Sequence, residues 1–455
     1  MRTETEGDEG LLAVEAALDR LLAQVPSELP TERVALAAGL GRVLAEVVTS
    51  TTDLPPWDNS AMDGYAIRAR DVAAASEDAP VRLTVVGEVR AGHAPDAAVG
   101  EGTAVRVATG APLPPGADAV VQVELTTPLD EGGERGPRGR DAAGPLPAAC
   151  LVHRSIGPGT AVRRRGEDLR AGQRLLEPGG ALRPADIAVA AAGGAPELLV
   201  RRRPRVAVLA TGDELRVPGS GLGPAGIPDS NRPGLLALAA TVGAETLDLG
   251  IAEDTLEATL AALRDGLASA DAIVVSGGVS VGPYDVVRTA FGQLGRVDLW
   301  RVAVQPGKPF AFGVAPAPPG AEAPDGRVLL FGLPGNPVSA FVTFELFVRP
   351  ALDRLAGRAT APPAGDAGVI DEPVRKAPGR RAFLRVVADR DAYGRLRRDG
   401  RGRVHVRLAG GQGSHLLHSL VAADALAVVP ETVDHLEAGS DVELRWLDPP
   451  AGHPS

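Results

Sequence analysis

Between residues 201 and 356, short apolar runs alternate with helical patterns, and three of the runs end in glycine-rich polar turns. Arg205 to Ala210 leads into Thr211-Gly212-Asp213-Glu214, Ala272 to Val275 into Ser276-Gly277-Gly278-Val279-Ser280-Val281-Gly282, and Val328 to Leu333 into Pro334-Gly335-Asn336-Pro337-Val338-Ser339. Short β-branched runs bounded by glycine read as buried parallel strands. With strands expected at 205–210 and 272–275 and helices at 231–242, 255–267 and 285–294, the stretch reads as a βαβ series with a mostly parallel sheet. In such an open sheet, ligands sit outside the carboxyl ends of the strands. Glycine there lets backbone N–H groups approach an anion closely, and two of the turns lead into expected helix starts. Anionic oxygens are the expected ligand chemistry.

The rest of the chain has a different texture. At 455 residues it is too long for one core, and about 100 to 200 residues per domain gives three or four. Leu11, Val14, Leu18, Leu21 and Val25 recur at helical spacing, and a second helical pattern covers 31–48. From 49 to about 149, alternation such as Val81, Leu83, Val85 amid Pro and Gly reads as a small β domain. Beyond it, 157–199 mixes turns with one helix at 184–192, so the two flanks of the β domain are expected to pack together. From about 362 the period returns to two, giving a last β domain. The expected partition is 10–48 plus 150–200, 49–149, 201–358 and 362–448. The fold class is a mostly parallel α/β sandwich with an inserted β domain, a discontinuous N-terminal mixed domain and a C-terminal β domain.

Charge and cysteine usage narrow the function classes. A net charge of −11 disfavours nonspecific nucleic-acid binding, and no stretch approaches the roughly 20 apolar residues that span a bilayer. With no signal-peptide pattern either, a cytoplasmic location is expected. The single cysteine, Cys150, has no partner for an intramolecular disulfide and reads as a structural thiol. Lys308 and Lys376 are the only lysines, which singles out Lys308, inside Gln305-Pro306-Gly307-Lys308-Pro309, as an anion contact.

Carboxylates gather around the glycine turns: Asp213 and Glu214 after the first strand, Asp254 before a helix, and Asp285 three residues past the glycine loop. Acids beside an anion site repel the ligand unless a divalent cation lies between them, and Mg²⁺ is usually held by one or two carboxylates plus phosphate oxygens. Taken alone, Asp254 or Asp285 reads as a helix N-cap; together with the turns they favour a metal and phosphate site. The segment Pro55-Pro56-Trp57-Asp58-Asn59-Ser60-Ala61-Met62-Asp63-Gly64-Tyr65-Ala66 concentrates scarce Met and aromatic residues among hydrogen-bonding groups, which suits a binding loop. His415 and His418 lie three apart but lack further ligands, so they read as helix surface rather than zinc.

Taken in order, 58–66, Ala108-Thr109-Gly110-Ala111-Pro112, Arg165-Gly166-Glu167-Asp168, Thr211-Gly212-Asp213-Glu214-Leu215, 276–282, Pro306-Gly307-Lys308-Pro309 and 333–340 resemble the molybdopterin molybdenumtransferase family, the bacterial MoeA type related to the E domain of animal gephyrin. Gly379-Arg380-Arg381-Ala382-Phe383-Leu384-Arg385 and Gln412-Gly413-Ser414-His415 resemble it too, so the likeness runs from about Leu11 to Leu447. The resemblance implies four domains in an elongated homodimer, with an α/β module of the kind shared with molybdopterin adenylyltransferases. It implies insertion of molybdate into adenylylated molybdopterin with Mg²⁺-dependent release of AMP. By matching position, the family's catalytic residues fall on Asp63, Thr109, Asp168, Glu214, Asp254 and Asp285, with Asp285 and Glu214 as the metal candidates. Cofactor-binding positions fall on Ser276, Gly277, Gly278, Ser280, Gly282, Pro334, Gly335, Asn336, Pro337 and Ser339. Molybdate is expected at Lys308, Ser339, Arg380 and Ser414, and the site is expected to be shared across the dimer. An adenylyltransferase is the expected partner protein.

One departure stands out. Many members of the family have lysine where this chain has Gln305, and a basic residue appears instead at Arg301. Losing an ammonium weakens attraction for an oxyanion by about 1 kcal/mol unless arginine substitutes. Two other classes compete with the transferase: a noncatalytic scaffold on the same fold, and a pterin or nucleotide hydrolase that would turn over without molybdate.

Overall fold

The computed structural model describes residues 11–26, 28–139, 144–278, 286–358 and 365–447. Its α/β module holds β1 (Arg205–Thr211), β2 (Glu245–Ala252), β3 (Ala272–Ser276), β4 (Arg296–Arg301), β5 (Pro309–Pro316) and β6 (Arg327–Leu333) in the order β2-β1-β3-β6-β5-β4. The first four are parallel, while β5 runs antiparallel to β6 and β4 to β5. Helix α1 (Asn231–Thr241) connects β1 to β2, α2 (Leu256–Ser269) returns across β1 to β3, and α3 (Val286–Leu294) follows. Helix α4 (Pro337–Thr343) leaves β6 and runs on through the π-helical Phe344–Val348 into α5 (Arg349–Leu355).

The sheet is buried on both faces, so its strands are apolar throughout rather than alternating. Val206, Val208, Val274, Leu329 and Phe331 face one core with α1 and the helices at 337–355. Ala207, Leu209, Ile273, Val275 and Leu330 face the other with α2 and α3. Aromatics are few but well used: Phe310 and Phe347 stack at 4.6 Å between centroids, and each such buried ring contributes about 2–3 kcal/mol. Because β1 connects outward to β2 and β2 returns past it to β3, the chain changes direction between β1 and β3. Their carboxyl ends open the crevice where doubly wound sheets bind ligands.

The helix expected over 31–48 is not formed. Thr31–Ala35 is a strand paired antiparallel with Glu197–Arg201, followed by one 3₁₀ turn at Leu36–Ala38 and the short strand Val48–Thr49 paired with Arg174–Leu176. Pairing with a segment some 160 residues away overrides local helix propensity, and Gly41, at φ +71°, sits where a helix would have continued. Leu44, Val48, Leu182, Ala190, Leu198 and Val200 form the core between these flanks. The N-terminal helix, Val14–Leu22, instead buries Val14, Ala17 and Leu21 in the α/β core, and Leu29 N–H donates to the Leu355 carbonyl.

The inserted module is a six-stranded mixed sheet of Gly64–Ile67, Val81–Val89, Thr103–Val107, Ala119–Gln122, Thr126–Leu129 and Ala149–Val152, with Cys150 buried opposite Leu83. In the C-terminal module, Arg381–Ala388 pairs with both Val404–Leu408 and Ala425–Val429, closing five strands into a barrel. Val304–Gln305, from the α/β module, adds to the barrel alongside Arg381 and Ala382. Among the described residues, no helix is long and apolar enough to cross a membrane.

Candidate functional site

The three glycine turns meet at the carboxyl ends of β1, β3 and β6. Gly277 and Gly278 have φ of +103° and +65°. A side chain at 277 would collide with the Thr211 carbonyl, and one at 278 would come within 2.6 Å of Val287 Cγ2. Only glycine permits the backbone to pass so close to the neighbouring strand end. Gly277 N–H donates to the Leu333 carbonyl at 3.1 Å, joining the second turn to the third strand.

Asn231, the first residue of α1, completes the junction and was not singled out from the sequence. Its Nδ2 donates to Ser276 Oγ at 2.8 Å and to the Gly335 carbonyl at 2.7 Å. An asparagine at a helix start reads as a local cap, so nothing local points to contacts 45 and 104 residues away. Two buried polar atoms in this crevice, Thr211 Oγ1 and Asn231 Oδ1, have no partner among the described residues. A buried polar atom left unpaired costs about 1–3 kcal/mol, so both suit a hydrogen-bonding ligand. Pro334, Gly335 and Asn336 form the turn, and Pro337 opens α4 at its first position, where a missing N–H is harmless. Ser339 is buried, with its carbonyl accepting from Thr343 Oγ1 at 2.7 Å.

Acidic groups edge the same crevice. Asp213 Oδ1 accepts from Asp254 N–H at 3.1 Å, and the Glu214 carboxylate curls over Gly212. The cap of α2 is Thr255, whose Oγ1 accepts from Ala258 N–H at 3.3 Å, so Asp254 is not the N-cap it resembled. The Asp254 carboxyl is pushed above its ordinary value, first by partial desolvation and then by the charges of Asp213 and Glu214. Cationic charge supplied from outside the protein would relieve that repulsion. Among the described residues no three His, Cys, Asp or Glu side chains converge as a ready-made metal cage. That donor set fits an ion such as Mg²⁺, which takes one or two carboxylates and completes its shell with water and phosphate oxygens. Ser280, Gly282 and Asp285 lie outside the described residues.

A second neighbourhood lies where the α/β module meets the barrel. Gly307, at φ +114°, packs the Lys308 turn against α4; a side chain there would fall 2.6 Å from Thr343 Cγ2 and 3.7 Å from the Ser339 carbonyl. Val338 N–H donates to the Ser414 carbonyl at 3.1 Å, bringing the barrel loop to the start of α4. Arg381 N–H donates to the Ala303 carbonyl, which sets Arg380 beside the same turn, and Lys376 Nζ donates to the Arg380 carbonyl at 2.6 Å. Backbone contacts thus join the Lys308 turn and the loop ending at Ser414 to α4, and the Arg380 segment to Ala303. Buried Arg380 Nε and Gln305 Oε1 have no partner among the described residues. Arg301 pairs with Pro309 across β4 and β5, one residue from Lys308.

Asp63, Thr109 and Asp168 lie elsewhere. Asp63 Oδ1 accepts from Thr109 N–H at 2.7 Å and from its hydroxyl at 3.0 Å, at the edge of an 80 Å³ cavity lined also by Glu88 and Arg106. The adjoining 53–63 loop is pinned by Asp58, which accepts from Arg165 N–H at 2.8 Å and Arg164 at 2.6 Å; these bonds hold its carboxyl below the usual range. Asp168 N–H donates to the Leu54 carbonyl. Among the described residues no hydrogen bond or ion pair links these three to Glu214 or Asp254.

The chain can be set beside known proteins. Residues 12–194 match the MoeA N-terminal region (domain I and II), 207–354 a probable molybdopterin binding domain, and 367–446 the MoeA C-terminal region (domain IV). It is 38% identical to a molybdopterin molybdenumtransferase from Nostoc sp., over 94% of this chain and 91% of that one. It is 33% identical to one from Haemophilus influenzae, over 96% and 98%. The crystal structure of a molybdopterin biosynthesis MoeA protein from Pyrococcus horikoshii superposes with a TM-score of 0.74 at 32% identity, covering 96% of this chain and all of that one. A chain that matches such relatives end to end, carrying the same three regions in the same order, belongs to the molybdopterin molybdenumtransferase (MoeA) family.

Proposed function

We propose that this protein is the molybdate-inserting enzyme of molybdenum cofactor biosynthesis, taking adenylylated molybdopterin and molybdate to molybdenum cofactor and AMP. The observation that carries the reading is the pairing of two differently built sites in one crevice region. One is a set of glycine turns tied by Asn231 and edged with acids; the other is a cationic and hydroxyl cluster beside it. The turns at 211–214, 276–278 and 334–336 offer backbone N–H groups to phosphate and ring heteroatoms of the substrate. Lys308, Arg380, Ser339 and Ser414 donate to molybdate, as charge-assisted or hydroxyl hydrogen bonds suit a tetrahedral oxyanion. Glu214 and Asp285 would hold Mg²⁺, whose charge would offset that of the substrate's pyrophosphate. Asp254, already short of counter-charge, orients that edge of the site through Asp213.

Asp63, Thr109 and Asp168 belong to the site through a second copy of the chain, whose inserted module lies over the α/β module of its partner in a homodimer. The bond between Asp63 and Thr109 pre-orients a carboxylate for that purpose. Arg301, next to Lys308 on the paired strand, makes good the charge that Gln305 lacks. The location is cytoplasmic, and an adenylyltransferase hands over the substrate. The test is AMP release by purified protein with and without Mg²⁺ and molybdate. Dependence on both supports this reading; release indifferent to molybdate would instead mark a hydrolase, and tight binding without turnover a scaffold.

A further inference from the structure

Arg385 lies in the barrel strand Arg381–Ala388 with no exposure to solvent. Among the described residues no carboxylate pairs with it, and burial lowers its pKa from the ordinary guanidinium value. A buried charge without a counter-ion is expensive to hold, so such a group is kept where it has work for its donors. One terminal nitrogen donates to the carbonyls of Gly411 at 2.9 Å and Gly413 at 3.2 Å. Its backbone is strapped to the same loop: Arg385 N–H donates to Gln412 Oε1 at 2.9 Å, and Gln412 Nε2 donates to the Arg385 carbonyl at 3.1 Å. The remaining donors, Nε and the other terminal nitrogen, are buried and have no partner among the described residues.

The loop so held ends at Ser414, whose carbonyl accepts from Val338 N–H at the start of α4. The loop is thus clamped between a buried cation on one side and the helix carrying Ser339 on the other. We propose that Arg385 is a positioning residue for the oxyanion end of the site: it fixes residues 411–414 so that Ser414 meets the ligand, and its uncompensated charge favours an anion there over neutral ligands. This rests on the reading that molybdate binds beside Ser414 and Arg380. Lysine keeps the charge, but its ammonium ends one bond short of the guanidinium nitrogen that reaches both carbonyls. Glutamine removes both.

The test uses the full chain and inorganic molybdate, titrated calorimetrically, together with hydrogen exchange at the Val338 amide. Arg385→Lys should speed exchange at Val338 and weaken molybdate binding, each by about tenfold, the loss of one charge-assisted bond. Arg385→Gln should bind molybdate more weakly still, at unchanged Val338 exchange relative to Arg385→Lys. Should the arginine variants fail to fold, Gln412→Ala loosens the same loop with the charge in place and should reproduce the faster exchange. Unchanged Val338 exchange overturns the positioning role, and faster exchange with unchanged molybdate affinity overturns its link to the ligand. If the wild-type chain binds no molybdate, the functional reading fails, while Val338 exchange still judges whether Arg385 holds the loop.

Discussion

Asn231 offers the sharpest perturbation because one side-chain nitrogen joins two of the three turns. Asn231→Ala removes donors to Ser276 Oγ and to the Gly335 carbonyl, at 2.8 and 2.7 Å. The Gly335 carbonyl, on an exposed residue, can turn to water, but the buried Ser276 Oγ loses its donor. A net bond is worth about 1 kcal/mol and an orphaned buried acceptor about 1–3 kcal/mol, so the turns lose roughly 2–4 kcal/mol of preorganisation. If that loss falls on substrate binding geometry, kcat/KM for adenylylated molybdopterin drops roughly 30- to 700-fold. Asn231→Asp sharpens the argument: it keeps the shape and can still accept from Ser276, but it sets two acceptors facing each other at Gly335. It should be at least as damaging as alanine, while circular dichroism stays that of the wild type. Activities of both variants within about threefold of wild type would refute the claim that Asn231 organises the site.

Other consequences follow from the same geometry. The carboxyl of Asp254 has a raised pKa in the folded protein, so its ionisation destabilises the fold. That penalty is absent below the ordinary carboxylate value and grows as pH rises through the raised one. Asp254→Asn should therefore raise the melting temperature at pH 7 without divalent ions and shrink the difference between pH 4 and pH 7, followed by scanning calorimetry; a variant less stable at pH 7 would contradict the sign. Gln305→Lys adds a cation next to Lys308 and should tighten molybdate binding by about fivefold at low salt, less at 0.5 M, as a calorimetric salt series would reveal. Asp63→Ala and Glu214→Ala should each be inactive alone, yet equal mixtures after subunit exchange should recover about a quarter of wild-type sites, since half the dimers are mixed and each has one intact site. No recovery would mean that the site is not shared between subunits.

What could be read from the chain alone depended on how local the cause was. The strand Ala272–Ser276 and the helix Pro184–Ala192 announce themselves, one by an unbroken buried apolar run and the other by a proline at its first position. The turns were legible because glycine at 277 and 278 answers to backbone geometry that no other residue tolerates. Thr31–Ala35 reads locally as helix, because its strand partner lies across the whole inserted module. The strands β2, β4 and β5 went unremarked: β2 is largely exposed, and β4 and β5 are antiparallel additions whose place is set by the sheet, not by their own pattern. The contacts of Asn231, and those of Arg385 within its 379–385 motif, are illegible for a related reason. Each looks ordinary in its own element, a polar helix start and a charge in a strand, and acquires meaning only through partners far along the chain.

The most direct test of the account is AMP release from adenylylated molybdopterin by the purified protein, measured with cofactor formation at saturating and zero molybdate, each with and without Mg²⁺. The account predicts that release and cofactor formation rise together and require both ions. Mg²⁺-dependent release that continues at full rate without molybdate, or cofactor formation in the absence of Mg²⁺, would contradict it.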